Sequence, residues 1–148
     1  MEIHNVRREE LEPWLRLREL LWPESSPEEL RRERDELIED SARNAILVAT
    51  TDSGQVIGFV EAAIREWAEG CSTRPVGYIE GWYVLPEHRK LGIGRRLIEA
   101  AERWALSRGC TEMGSDVVLG NTVSELAHRA IGFTEVQRLV NFSKKLTH

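Results

Sequence analysis

The stretch Tyr78–Arg96, YIEGWYVLPEHRKLGIGRR, constrains this chain more than any other. It opens with β-branched and aromatic residues, Tyr78-Ile79-Glu80-Gly81-Trp82-Tyr83-Val84, the pattern of a buried strand interrupted by a glycine. Pro86 has no N–H to give a sheet ladder, so the strand should end near Leu85. A basic, glycine-punctuated loop follows, Arg89-Lys90-Leu91-Gly92-Ile93-Gly94. The period then changes: Ile93, Leu97, Ile98, Ala101, Trp104 and Ala105 fall on one helical face. Strand, glycine loop and helix start together present bare backbone N–H groups and the positive end of a helix dipole to an anion. Arg89, Lys90, Arg95 and Arg96 add cationic side chains. The stretch is a cradle for a pyrophosphate.

Spacing separates it from other phosphate loops. A Walker A loop needs Gly-Lys followed by Ser or Thr, and Gly94 precedes Arg95-Arg96. The dinucleotide fingerprint needs a further glycine where this chain has Leu97, and its loop normally follows the first strand of the unit. What remains is Arg-x-x-Gly-x-Gly from Arg89 to Gly94, preceded by Val84-Leu85-Pro86. That motif resembles the acetyl-CoA site of the GCN5-related N-acetyltransferases.

At 148 residues the chain fits one domain, 1–148, able to bury about two-thirds of its unfolded surface. No apolar run approaches a membrane span, and MEIHNVRREE lacks the apolar core of a signal peptide. Cys71 and Cys110 have no CxxC spacing and the four histidines are scattered, so no metal is expected and reduced thiols in the cytoplasm are the default. The net charge of −5 disfavours nucleic acid and favours a cationic partner.

Along the chain, Met1 to Val6 is a first strand. Leu11, Trp14, Leu15, Arg18, Leu21 and Trp22 form a helix ended by Pro23. Ser26-Pro27-Glu28-Glu29 starts a second helix with a Ser cap, and Leu30, Leu37 and Ile38 give it a thin apolar face. Ala45–Thr50 and Gln55–Ile64 form a hairpin around Asp52-Ser53-Gly54, and Arg65–Pro75 is a loop. The central strand and helix follow, the helix stopping at Arg108-Gly109. Thr111–Val118 is a strand, Thr122-Val123-Ser124-Glu125 caps a short helix that stops before Gly132, and Phe133–Lys144 is a last strand. This order predicts an α/β (α+β) fold with a mixed sheet flanked by helices. It is also the order of the acetyltransferase family, so the resemblance covers essentially the whole chain. It implies the acyl-CoA N-acyltransferase fold, a mostly antiparallel sheet whose central strands splay around pantetheine.

The resemblance further implies that main-chain groups of Trp82 and Val84 pair with pantetheine as another strand would. It makes Asn121 a cofactor contact, with Gly132-Phe133 opening the last strand. Amine attack on a thioester needs a base for the ammonium, polarisation of the carbonyl and a proton for the thiolate. Many members protonate the thiolate with a Tyr; here that position is His128, an imidazole whose protonated form can donate, or Tyr83 could serve. Glu80, a carboxylate inside an apolar strand, is the candidate base, and Asp116 is similarly placed on the next strand. Trp22, before Pro23, and Trp67, in a loop, can wall a cleft and attract ammonium groups.

Arg18-Glu19-Leu20-Leu21-Trp22-Pro23, Gly70-Cys71, Glu80-Gly81, Arg103-Trp104, Gly109-Cys110, Ser115-Asp116 and Asn121-Thr122 resemble the bacterial aminoglycoside 6′-N-acetyltransferases, in which a His, not a Tyr, stands in the second motif. That resemblance implies drug contacts at Trp22, Trp67, Glu80, Asp116 and Gln137. It implies cofactor contacts at Trp82, Tyr83, Val84, Lys90, Leu91, Gly92, Ile93, Gly94, Arg95 and Asn121, beside Arg89 of the motif. The implied reaction moves acetyl from acetyl-CoA to the 6′-amine of an aminoglycoside in a ternary complex, giving resistance, in a homodimer built through the C-terminal strand. Another small polyamine, a protein amine, or a non-catalytic acyl-CoA-binding role are the alternatives.

Overall fold

The computed structural model describes residues 1–147. One five-stranded sheet runs in the order β1 (Glu2–Asn5), β2 (Asn44–Thr50), β3 (Val56–Arg65), β4 (Val76–Val84), β5 (Met113–Ser115). The first three pairings are antiparallel and β4 pairs with β5 in parallel. The helices are α1 (Leu11–Leu21), α2 (Pro27–Glu39), α3 (Ile93–Ser107) and α4 (Thr122–Ala130). The chain divides into two compact units, Met1–Asp116 and Val117–His148. The first holds the sheet with α1 to α3; the second holds α4.

Helix starts and stops follow from local chemistry. Ser26 Oγ accepts the Glu29 N–H at 3.1 Å, and Pro27 takes the first helical position, where its missing N–H costs nothing. Ile93, Leu97, Ile98, Ala101 and Ala105 form the buried face of α3, which packs on β2, β3 and β4. The other face of the sheet meets α1, where Trp14 and Leu17 pack with Ile46, Val48, Val56 and Phe59. β3 is buried on both faces over most of its length, as its double run of apolar residues predicts.

The β3–β4 register carries one irregularity that shapes everything downstream. Glu61 faces Gly81 and Ala62 faces Ile79, so Glu80 is an extra residue bulged out of the ladder. The loop 66–75 is fastened to the start of β5. Glu112 Oε1 accepts the Ser72 and Thr73 N–H groups at 2.8 and 2.7 Å, and the Thr73 hydroxyl as well.

Three sequence expectations need correction. The strand expected at Thr111–Val118 is only Met113–Ser115. The cap of α4 is Asn121, whose side chain accepts the Ser124 N–H at 3.1 Å, one residue before the expected Thr122. Residues 133–147 form no strand, against the expectation for Phe133–Lys144. A strand exists only with a hydrogen-bonding neighbour, and among the described residues none pairs with this segment. Apart from Phe133, its large apolar side chains are bare: Val140 is 72% and Phe142 92% exposed.

Candidate active site

β4 pairs with β5 only from Gly77 to Ile79. Beyond that point, among the described residues, the β5-facing edge of β4 has no strand beside it. The chain then turns through a short 3₁₀ segment, Pro86–His88, into the glycine loop. Arg89 braces that turn. Its Nε donates to the Val84 carbonyl at 2.7 Å and its guanidinium lies 5.2 Å from the Tyr83 ring centre. Lys90 and Gly92 take left-handed backbone, φ 66° and 81°, and α3 begins at the next residue, Ile93. Gly94 allows a close approach: a Cβ there would stand 3.1 Å from Trp82 Cζ2, and Trp82 Nε1 donates to the Gly94 carbonyl at 3.1 Å. The end of β4 and the start of α3 are thereby locked together.

The cradle fits the diphosphate of acetyl-CoA. The first N–H groups of a helix have no intrahelical acceptor, no acidic side chain stands in the first turn of α3, and Arg95 and Arg96 do. The part of β4 with no strand beside it among the described residues leads into this loop through Pro86–His88.

On the α1 and α2 side lies a cleft of about 410 Å³, lined by Arg18, Trp22, Glu33, Glu36, Leu37, Asp40, Asn44, Glu61 and Glu80. Carboxylates dominate this wall, so its field favours a polycation. Trp22 reaches in over Gly81, where a Cβ would stand 2.6 Å from its Cη2. At the floor Arg18 and Glu61 form a buried pair: Arg18 Nη1 donates to both Glu61 oxygens at 2.8 Å. Trp14 Nε1 adds a bond to Glu61 at 3.0 Å, and Arg18 Nη2 reaches Glu33 at 2.7 Å. Burial pushes the Glu61 carboxyl up to about 7, against the pull of Arg18 and Trp14.

Glu80 and Asp116 are joined by two intervening residues. Arg65 donates to Glu80 through Nη2 at 2.6 Å and Nε at 3.3 Å, with its guanidinium 3.5 Å from the Tyr78 ring centre. The Tyr78 hydroxyl donates to Asp116 at 2.6 Å. Burial and the Asp116 carboxylate hold the Tyr78 phenol well above its ordinary range, so Tyr78 stays protonated. Trp67 is 55% exposed in its loop and does not line the cleft.

Asn121, His128 and Gln137 belong to the second unit. His128 Nδ1 lies 2.7 Å from the Ser124 carbonyl, and its ring meets Phe133 edge-on at 5.3 Å. A carbonyl only accepts, so Nδ1 carries the proton and a neutral His128 presents Nε2 as an acceptor. Only the imidazolium can donate from Nε2. Gln137 is exposed, in the segment without a strand. Among the described residues no cluster of His, Cys, Asp and Glu is arranged to hold a metal, and no helix is long and apolar enough to cross a membrane.

Sequence reasoning passed over Arg18, Glu33, Glu61, Arg65 and Tyr78. Glu61 carried the same signal that singled out Glu80, a carboxylate in an apolar strand.

A sheet opened along β4 and a glycine loop at the start of α3 define an acyl-CoA-using transferase. The chain belongs to the acetyltransferase (GNAT) family, whose pattern matches residues 14–133. Among curated relatives, the aminoglycoside N(6′)-acetyltransferase type 1 of Klebsiella aerogenes is 43% identical over 135 residues, 90% of this chain and 89% of that protein. That of Acinetobacter haemolyticus is 42% identical over 147 residues, 99% of each chain. Among solved structures, the apo aminoglycoside antibiotic 6′-N-acetyltransferase from Acinetobacter haemolyticus superposes with a TM-score of 0.92 at 40% identity, covering 99% of this chain and 100% of that one. The enzyme AAC(6′)-Iy, solved with the bisubstrate analogue CoA-S-monomethyl-acetylneamine, gives 0.90 at 36% identity, covering 98% of each.

Proposed function

We propose that this protein transfers the acetyl group of acetyl-CoA to the 6′-amine of aminoglycoside antibiotics and so confers resistance. The observation that carries the reading is the carboxylate-lined cleft, which shares Glu80 with the strand whose edge is open. The relatives at 43% and 42% identity bear that activity in their names. Acetyl-CoA lies along β4 at Trp82, Tyr83 and Val84, with its diphosphate on residues 89 to 95 and Asn121 as a further contact.

In the reaction, Glu80 takes a proton from the substrate ammonium, directly or through water, after Arg65 yields its place to the drug. Asp116 is the second acidic contact. The amine lone pair attacks the thioester carbon, the C–S bond breaks, and the thiolate takes a proton from the His128 imidazolium, which the second proton released by the attacking nitrogen restores as the amide forms. An amide and free CoA leave, and the first proton passes to solvent. Trp22 contacts the drug from the cleft wall. The exposed apolar residues of 133–147 support a homodimer built through that segment, with the whole chain working as one transferase domain in the cytoplasm.

Thiol release from acetyl-CoA tests this with kanamycin or tobramycin as the amine. Saturable release is expected with drugs that carry a 6′-amine, and none with versions bearing a 6′-hydroxyl. Release with simple polyamines and not with the drugs would move the assignment to another amine.

A further inference from the structure

We propose that Arg18, held by Glu61, is a positioning residue that shapes the amine cleft by fixing Trp22 and Glu33. The inference rests on the reading that this cleft takes the amine.

One guanidinium ties together three elements. It bonds β3 through both oxygens of Glu61 and α2 through Glu33. It also stacks against the aromatic rings of its own helix and its end, 5.7 Å from Trp14 and 4.8 Å from Trp22. Arg18, Trp22, Glu33 and Glu61 all line the cleft, and the side chain of Arg18 is only 2% exposed. The planar fork of Arg suits such bridging, because its donors point in fixed, divergent directions.

Stability alone does not account for the arrangement. A buried ion pair is matched or exceeded by well-packed apolar residues of similar volume, and here Arg18 Nε has no hydrogen-bond partner in the interior. What an apolar pair cannot do is hold the Glu33 carboxylate at 2.7 Å and a tryptophan face at once. Glu33 is 40% exposed, so one carboxylate oxygen is oriented by Arg18 while the group still faces solvent. Gly81 leaves room for the Trp22 ring, since a Cβ there would stand 2.6 Å from its Cη2. A substrate ammonium thus meets an indole and a carboxylate whose rotamers are fixed before it arrives, which lowers the ordering cost of binding.

The test compares wild type with the double variant Arg18→Met/Glu61→Leu and the single variant Arg18→Lys. In the double variant the melting temperature and the acetyl-CoA KM should stay close to wild type. The kanamycin KM should rise about ten-fold or more, as for a displaced binding wall, with kcat changed far less. Arg18→Lys keeps the charge without the fork and should fail to rescue the KM, and it carries the test if the double variant does not fold. Folded variants with wild-type kanamycin KM, or with equal losses for both substrates, overturn the proposal. The ¹⁵N-indole resonance of Trp22 is an independent readout that needs no amine. It should shift or broaden in the variants. An unmoved resonance overturns the proposal even if wild type acetylates no aminoglycoside, an outcome that would sink only the functional reading.

Discussion

Two carboxylates in the cleft are separated by their surroundings. Glu61 is enclosed by Arg18 and Trp14 from α1, Glu33 from α2 and Glu80 from β4, and burial raises its carboxyl from 4.5 to about 7. Between those values the folded protein holds the proton more tightly than the unfolded chain does. Its contribution to stability is therefore greatest below the window and is lost as pH rises through it. Unfolding midpoints at pH 5 and pH 8 should show wild type losing stability relative to Glu61→Gln as pH rises. A pH-independent difference would remove the linkage. Glu80 is only partly covered and lies on the bulge, where its side chain faces the cleft. Replacing it with Gln should lower kcat by about 10²-fold or more, the range expected for a lost general base, while acetyl-CoA binding persists. Unchanged turnover would exclude Glu80 as the base. Both residues announced themselves in the same way, as acids inside apolar strands, yet Glu61 escaped notice. Alternation alone does not say which of two acids faces a helix that supplies an arginine.

At the scale of elements, two glycines on the central strand and helix act on different substrates. A methyl at Gly94 would press on the Trp82 ring at 3.1 Å, and one at Gly81 would collide with Trp22 at 2.6 Å. Gly94→Ala should raise the acetyl-CoA KM with little change for the drug, and Gly81→Ala should do the reverse. Steady-state kinetics with each substrate varied in turn checks both, and parallel losses would show that the two sites are not separable this way. Elements defined by their own residues were legible: the α3 face, the Ser26 cap, the hairpin and the glycine loop were all placed from spacing and turn chemistry. The strand expected at Phe133–Lys144 does not form among the described residues. Phe133–Lys144 has strand-forming composition, but a strand is a property of a pair of segments, and composition does not supply the neighbour. The Asn121 cap was missed because Thr122 offered an equally good pattern one residue later.

For the whole molecule, Val136, Leu139, Val140, Phe142 and Leu146 are each more than 60% exposed, an uncovered apolar run that a second copy can bury. Light scattering should give twice the 17.0 kDa of one chain, and Phe142→Asp should shift it toward one. A monomeric wild type would end the dimer proposal. The edge of β4 beyond Ile79, which has no strand beside it among the described residues, has a different consequence, metabolic rather than catalytic. If acetyl-CoA supplies the missing neighbour, the nutrient state of the cell becomes part of the folding equilibrium. At one hundred times its dissociation constant a ligand adds about 2.7 kcal/mol to the folded state. A melting temperature that climbs with acetyl-CoA, in the absence of any drug, would register this coupling. A well-fed cell then keeps more of this protein out of reach of its proteases than a starved one making it at the same rate.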